Sequence, residues 1–264
     1  MRDALRFEVV RLRTLRSTWW LTAIALLISG LLGLPALSVK GDATLTDYGD
    51  IVTGGGGGAV YLDAILLSIL AIFATGHEYR YGTIRPTLSA LPRRSALMSA
   101  KVLVVAGYVL VLAVLCAATR YAVALISLGH RLSRLGLFPT PMARVWIGTV
   151  LFTTVFALVG LALASLFRNI PAAIVIVIVI VMPLVTEFAI RGLLNVHVFR
   201  GIRGLAKLLP FSAGAQVFSY GPADNGGGGA FAELPGPWGG LFIFAAFLAI
   251  VLAISWALFE RRDA

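Results

Sequence analysis

Residues that commonly carry chemistry are few and scattered in this chain of 264 residues. Its three histidines lie in separate segments, and its single cysteine, Cys116, is too little to build a disulfide or a thiolate metal site. The sequence has no Walker A motif and no recognisable pairing of a nucleophile with a base. We therefore predict that the chain is not an enzyme and has no catalytic residues, no metal site and no cofactor of its own.

Two glycine runs bear a superficial likeness to a phosphate-binding loop. The first is Gly54–Gly58 and the second is Gly226–Gly229. A phosphate loop needs a lysine and a serine or threonine after its glycines, and neither run has the lysine. We interpret both runs as flexible linkers.

A short, basic, polar island at residues 77–101 interrupts apolar sequence on both sides. Gly82 and Thr83 are expected to break the helix that enters the island. Arg93 and Arg94 are suited to binding the carboxylates of a partner or lipid phosphates. The alternative is a plain basic loop whose charge serves only to orient the chain. The island carries, in order, Glu78, Tyr79, Arg80, Gly82, Thr83, Pro92, Arg93, Arg94 and Lys101.

The elements that must position this island are six long apolar segments. Hydrophobic residues make up 59% of the chain and charged residues only 13%, against roughly 25% charged in soluble domains. A helix needs about 20 apolar residues to cross a bilayer. The isoleucine–valine run at 174–185 lacks the polarity alternation of a membrane β-strand, so we predict an all-α membrane protein with six transmembrane helices. The six segments are Trp19–Leu37, Val60–Gly76, Val102–Leu128, Val145–Phe167, Ala172–Ile190 and Trp238–Phe259.

The distribution of positive charge predicts how these spans are oriented. The formal net charge is +10, and six spans would place the segments 1–18, 77–101, 168–171 and 260–264 on one side. Those segments hold 13 of the 22 Lys and Arg residues. The positive-inside rule identifies that side as the cytoplasm, so both termini are predicted to be cytoplasmic. Topology also explains the basic charge without nucleic-acid binding.

Residues 1–18 are predicted to form an amphipathic helix at the cytoplasmic surface of the membrane. Leu5, Val9 and Leu12 would share one face, and the arginines at positions 2, 6 and 13 would share the other. This pattern is typical of interfacial helices that contact lipid phosphates. The alternative is a positively charged flank of the first span.

Charged residues inside the predicted spans are rare and lie near span ends. Asp63 and Glu187 are close to the outer ends of their spans. Arg120 is also expected near the outer interface, where its long stem would snorkel to water, although a role on a substrate path is the alternative. An ion-coupled carrier usually needs deeper titratable groups, so any uphill movement would draw its energy from elsewhere.

The ordered pattern E-x-x-x-G-T, then P-R-R and a lysine, resembles the cytoplasmic loop of type-2 ABC transporter permeases, the ABC-2 family. The stretch LP-x-x-AG at 209–214 is similar to one in actinobacterial members, where a re-entrant segment precedes the last span. The resemblance implies one permease domain, 1–264, in which 191–237 is extracellular and partly re-entrant. It also implies that an ATPase subunit contacts the island, through Glu78, Tyr79, Arg80, Gly82, Thr83, Pro92, Arg93 and Arg94.

The same resemblance implies a permease subunit of an ATP-driven exporter in the bacterial plasma membrane. Its partners would be ABC ATPase subunits that bind the ATP, a second permease copy or a paralogue, and membrane lipids. The alternatives are an ion-coupled carrier, or a membrane assembly or lipid-modifying protein that has no ATPase partner. The transported substrate leaves no motif in the sequence.

Overall fold

The structure is a computed structural model that describes residues 2–34, 44–55, 57–80, 82, 94–128, 142–181, 209–220 and 236–261. Within those ranges no residue lies in a β-strand, which confirms the all-α prediction. The described helices are α1 (Arg2–Thr14), α2 (Arg16–Leu31), α3 (Leu45–Thr53), α4 (Gly58–Arg80), α5 (Arg94–Leu128), α6 (Ala143–Phe167), α7 (Ile170–Val181), α8 (Pro210–Ala215) and α9 (Pro237–Arg261).

Helix α6 forms the centre of the bundle, and α4, α5 and α9 pack around it. It is apolar on nearly every side and buried along most of its length, as expected of a helix surrounded by other helices. Small residues set the closeness of this packing. A Cβ on Gly160 would collide with the Ser68 side chain of α4, so only glycine permits this approach.

Aromatic rings join the short helix α8 to α6 and α9. The ring centroid of Phe211 lies 5.2 Å from that of Phe244 in α9 and 5.6 Å from that of Phe156 in α6. Gly240 of α9 sits directly against the backbone of Ala213, where a side chain would not fit. Segment 209–220 is therefore an integral part of the described bundle.

Four of the predicted spans have helices long and apolar enough to cross a membrane. By length and composition these are Ser95–Ser127, Ala143–Phe167, Pro237–Arg261 and the stretch Asp47–Tyr79, of which α4 forms the longer part. Exposed apolar side chains along them, such as Leu103, Val111 and Phe242, fit a lipid-facing surface. A membrane protein is thus supported directly by the helices.

The first and fifth spans remain predictions. Helix α2 has 16 residues, about 24 Å at 1.5 Å per residue, which is shorter than the roughly 30 Å of a hydrocarbon core. Helix α7 has 12 described residues, and positions 182–190, including Glu187, lie outside the described residues. The re-entrant character of 191–237 also stays a prediction, because only 209–220 and 236–237 of it are described.

Gly54, Gly55 and Gly57 of the first glycine run adopt positive φ in a defined turn between α3 and α4, whereas the sequence predicted a flexible linker. Thr44 and Asp47 form a capping box at the start of α3, and Gly54 ends that helix in the left-handed conformation at φ 72°. Gly57, at φ 95°, completes the turn into α4. The glycines are there because the turn between two helices needs positive φ. The second run, Gly226–Gly229, lies outside the described residues.

Candidate functional site

The island is rooted in two helices that extend beyond the apolar segments into the island itself. Helix α4 continues past the apolar segment that ends at Gly76 and runs through Arg80, and α5 begins at Arg94, ahead of the apolar segment that starts at Val102. Gly82 follows α4 in the left-handed conformation at φ 65°, in agreement with the predicted helix break. Residue 81 and residues 83–93 lie outside the described part of the chain.

Four charged side chains from three helices meet at these roots; we call them the ionic cluster. Its members are Glu8 and Arg11 of α1, Glu78 of α4 and Lys101 of α5. Arg11 lies 2.7 Å from Glu8, and Lys101 lies 3.8 Å from the same carboxylate. Glu78 forms ion pairs with both Arg11 and Lys101. The cluster therefore has two positive and two negative charges and is neutral as a unit.

The ionic cluster is withdrawn from solvent. Glu8 is 0% exposed, Glu78 3% and Lys101 4%, while the Arg11 side chain is 15% exposed. Arg11 also donates to the backbone carbonyl of Ala74, which ties α1 to α4 a second time. Burial lowers the pKa of Arg11, and the charge of Glu8 opposes that shift. Removing one member would leave a buried charge without compensation, which is strongly destabilising.

Glu78 therefore faces the inside of the protein and holds the root of the island against α1 and α5. Its neighbour Tyr79 faces a different structure, the turn between α6 and α7. The guanidinium of Arg168 lies 5.3 Å from the centre of the Tyr79 ring, a cation–π distance. Arg168 itself ends α6 in the left-handed conformation at φ 53°. Beside this contact a cavity of about 620 Å³ is lined by residues such as Phe73, Gly76, Asn169 and Ile174.

The other predicted coupling residues are described only in part. The backbones of Arg80 and Arg94 end α4 and begin α5, so they flank the segment that joins the two helices. Thr83, Pro92 and Arg93 lie outside the described residues. Contact of these residues with an ATPase stays a prediction.

Arg120 does not snorkel to the interface, because its side chain is fully buried between helices. It forms an ion pair with Asp63 of α4 and donates to the carbonyl of Val52 at the end of α3. Ser29 of α2 donates to the same Asp63 carboxylate at 2.6 Å. Arg120 thus joins α3, α4 and α5. Its place on a substrate path stays a prediction.

Three of these contributors were missed in the sequence: Glu8, Arg11 and Arg168. A readable signal existed for Glu8, since it is spaced by four residues from both Ala4 and Leu12, the two apolar residues buried on the same face of α1. Of the three apolar residues predicted to share one face, Leu12 is buried and Val9 is 42% exposed. Arg2, Arg6 and Arg13 are exposed, as predicted.

Among the residues that the structure describes, no group of three or more His, Cys, Asp or Glu side chains is placed to hold a metal ion. Cys116 is buried and unpaired. The charged residues that do converge, the ionic cluster and the Asp63–Arg120 pair, join helices to one another.

Comparison with known proteins assigns the chain to a family. The model of a family described as ABC-2 family transporter protein matches residues 4–184. That match includes α1 to α7, and so contains the ionic cluster, the island and the Asp63–Arg120 pair. A search of curated proteins returned no match. Since the family match covers well over half of the sequence and agrees with the apolar helices, this chain belongs to the ABC-2 family of membrane transporter proteins.

Proposed function

We propose that this chain is the permease subunit of an ATP-driven exporter, powered by a separate ATPase subunit that docks on the island at residues 77–101. It would span the bacterial plasma membrane with both termini in the cytoplasm. The proposal rests on the family membership and on one structural observation, the ionic cluster at the roots of the island. Export is the usual direction of transport in the family.

The ionic cluster gives the island a direct mechanical connection to the spans. Glu78 and Lys101 pair across the two helices that the island joins, and Arg11 adds α1 to the same unit. A displacement of the island would therefore move three helices together. The Tyr79–Arg168 contact would carry part of it to the turn between α6 and α7. Close packing around α6 leaves little slack to absorb such a movement.

The energy source is proposed to be external because the described spans offer no proton relay. Relays in membranes are chains of titratable groups open to a pathway. Among the described residues, the buried charges within the spans away from the island are Asp63 and Arg120, and these pair with each other. In this proposal an ATPase acting from the cytoplasm supplies the energy for transport.

The permease is proposed to work in pairs. A second copy of this chain or a paralogous permease would complete the translocation path, and two ATPase subunits would lie beneath the pair. Each ATPase would bind the ATP, so the permease would need no cofactor of its own.

The experiment that tests this proposal is co-purification followed by charge reversal. The tagged chain, extracted from its own cells in mild detergent, should bring with it a soluble subunit that contains a Walker A motif. Arg93→Glu combined with Arg94→Glu should weaken that association or uncouple ATP hydrolysis from transport. Arg261→Glu combined with Arg262→Glu is the matched control, with the same charge change at the C-terminus. Absence of any ATPase, or equal behaviour of both double variants, would refute the proposal.

An ion-coupled carrier is the second candidate, and it would have to use Asp63, an acid that is buried within the described spans. Reconstitution of the chain alone distinguishes the two candidates. A carrier would accumulate substrate in vesicles under an ion gradient without ATP, and Asp63→Asn would abolish that accumulation. The ATP-driven permease would show neither behaviour.

A further inference from the structure

A groove of about 470 Å³ lies between α1, the first turn of α2 and the Lys101 end of α5. Its walls are mostly apolar side chains, among them Val9, Trp19, Leu103 and Val111. The hydroxyl of Tyr108, on the same wall, is already bonded to Thr22 at 2.7 Å. Arg13 lies at the groove and is an exposed cation. The groove thus combines an apolar trough with one positive charge.

The local chain geometry builds this groove. Leu15 adopts an extended conformation with ψ 117°, so α1 and α2 diverge at that residue. The indole nitrogen of Trp19 donates to the backbone carbonyl of Arg13 at 2.9 Å, which ties the end of α1 to the first turn of α2 beside the trough. On the opposite wall Leu103, Gly107 and Val111 follow at four-residue intervals along about 12 Å of helix. Gly107 has open space where a side chain would be.

We propose that this groove is a binding site for one anionic phospholipid, with an acyl chain along α5 and the phosphate on Arg13. The occupant is argued from charge and position. The walls are apolar on a membrane-facing helix, Trp19 stands where interfacial aromatics occur, and the guanidinium is the group that pairs best with a phosphate. The groove volume falls within the roughly 300–1,000 Å³ of ordinary ligand sites.

The bound lipid would have a structural consequence for α1. Leu12 contributes to the groove, and Glu8 and Arg11 of the ionic cluster lie on the same helix within one turn of it. A lipid seated there would hold α1 against α5 from the membrane side. The site depends on insertion in a membrane and is independent of an ATPase, so its failure and that of the proposed function are distinguishable.

Native mass spectrometry of the full-length chain in detergent tests the site. The probes are phosphatidylglycerol and phosphatidylcholine with identical acyl chains. One phosphatidylglycerol molecule should bind about five-fold more tightly than phosphatidylcholine, because one nearby arginine attracts the anionic headgroup by about that factor. Gly107→Leu, which fills the trough, should lower binding of both lipids about ten-fold, the effect of displacing two methylenes. Arg13→Gln should reduce the preference for phosphatidylglycerol to parity.

Two matched controls accompany these variants. Gly107→Ala leaves most of the trough open and should bind lipid as the unaltered chain does. Arg6→Gln removes an exposed arginine of the same helix that does not line the groove. It should leave the lipid preference intact.

Three results would overturn the proposal. Gly107→Leu with undiminished lipid binding would show that the groove is not the site. Equal losses in Arg13→Gln and Arg6→Gln would show only diffuse attraction to a basic helix. A change of Gly107→Leu from dimer to monomer with lipid binding retained would identify the groove as a contact between copies of the chain. Arg13 is exposed, so Arg13→Gln should fold normally. Its lipid preference therefore tests the site even if Gly107→Leu fails to fold.

Discussion

Neutralising Glu78 is the most informative single perturbation of the ionic cluster. Glu78→Gln keeps the shape of the side chain but removes one of two negative charges. Arg11 and Lys101 would then share the remaining carboxylate of Glu8, at 2.7 Å and 3.8 Å. One buried positive charge would be left without full compensation.

The size of the effect follows from this geometry. Breaking a buried ion pair by removing one partner costs about 3–5 kcal/mol. The low end applies because Glu8 still compensates part of the charge, so we expect a loss of about 3 kcal/mol in the free energy of unfolding. For a chain of this size that corresponds to a fall in Tm of about 6–12 °C. Fluorescence-detected size-exclusion chromatography of heated, detergent-solubilised protein measures it.

A double variant makes the reasoning refutable. Lys101→Met alone should also cost about 3 kcal/mol, because it leaves two acids facing one arginine. Combined with Glu78→Gln it should cost no more than either single change, since the Glu8–Arg11 pair at 2.7 Å remains neutral and intact. Independent side chains would instead add to about 6 kcal/mol. Additive losses would refute the cluster, and Arg6→Gln, an exposed change on α1, should alter Tm by less than about 2 °C.

Three further variants examine other contacts. Glu8→Gln should loosen α1, so limited trypsin digestion at Arg13 and Arg16 should become faster than in the unaltered chain; an unchanged rate would contradict the anchoring of α1. Arg120→Met should cost about 3–5 kcal/mol by leaving Asp63 buried alone, and adding Asp63→Asn should restore much of the lost Tm; a negligible loss would mean that Arg120 reaches water after all. Gly160→Ala should cost about 1–3 kcal/mol through its collision with Ser68, measured as a fall in Tm, whereas Gly107→Ala in open space should cost nothing.

The membrane character of the fold was predictable because it depends on composition over long segments. About 20 apolar residues in a row satisfy the length rule for a span wherever they occur. The break at Gly82 was equally readable from a glycine after a helical segment. The structured turn around Gly54 was missed, although Thr44 and Asp47 form a T-x-x-D capping pattern just upstream that predicts a helix start.

The ionic cluster was not predictable from local pattern. Periodicity grouped Leu5, Val9 and Leu12 as the apolar face of an interfacial helix, and it gave no reason to expect Glu8 on the side of α1 that is buried against the bundle. An acid is stable there because Arg11, one turn along α1, and Lys101, far along the chain, both converge on it. The prediction that Arg120 snorkels was wrong for a similar reason. It considered only the distance of Arg120 from the start of its own span, whereas the partner that keeps it buried, Asp63, lies on another helix. Complementary charges in separate apolar segments are the signal that would have indicated the pair.

Charged contacts at the roots of the island fix the register of the helices, which apolar contacts in a membrane do poorly. Lipid tails are as apolar as leucine, so apolar helices gain little from any one register against their neighbours. A neutral cluster of two acids and two bases has one arrangement in which every charge is paired. If one helix shifts alone, a buried charge loses its partner, and the structure loses the stability estimated above for Glu78→Gln. Helices α1, α4 and α5 are therefore held in one register at the end where the island begins. Such a joint is rigid against separation of its helices, which is the property required of an element that turns a push on a loop into the joint movement of several spans.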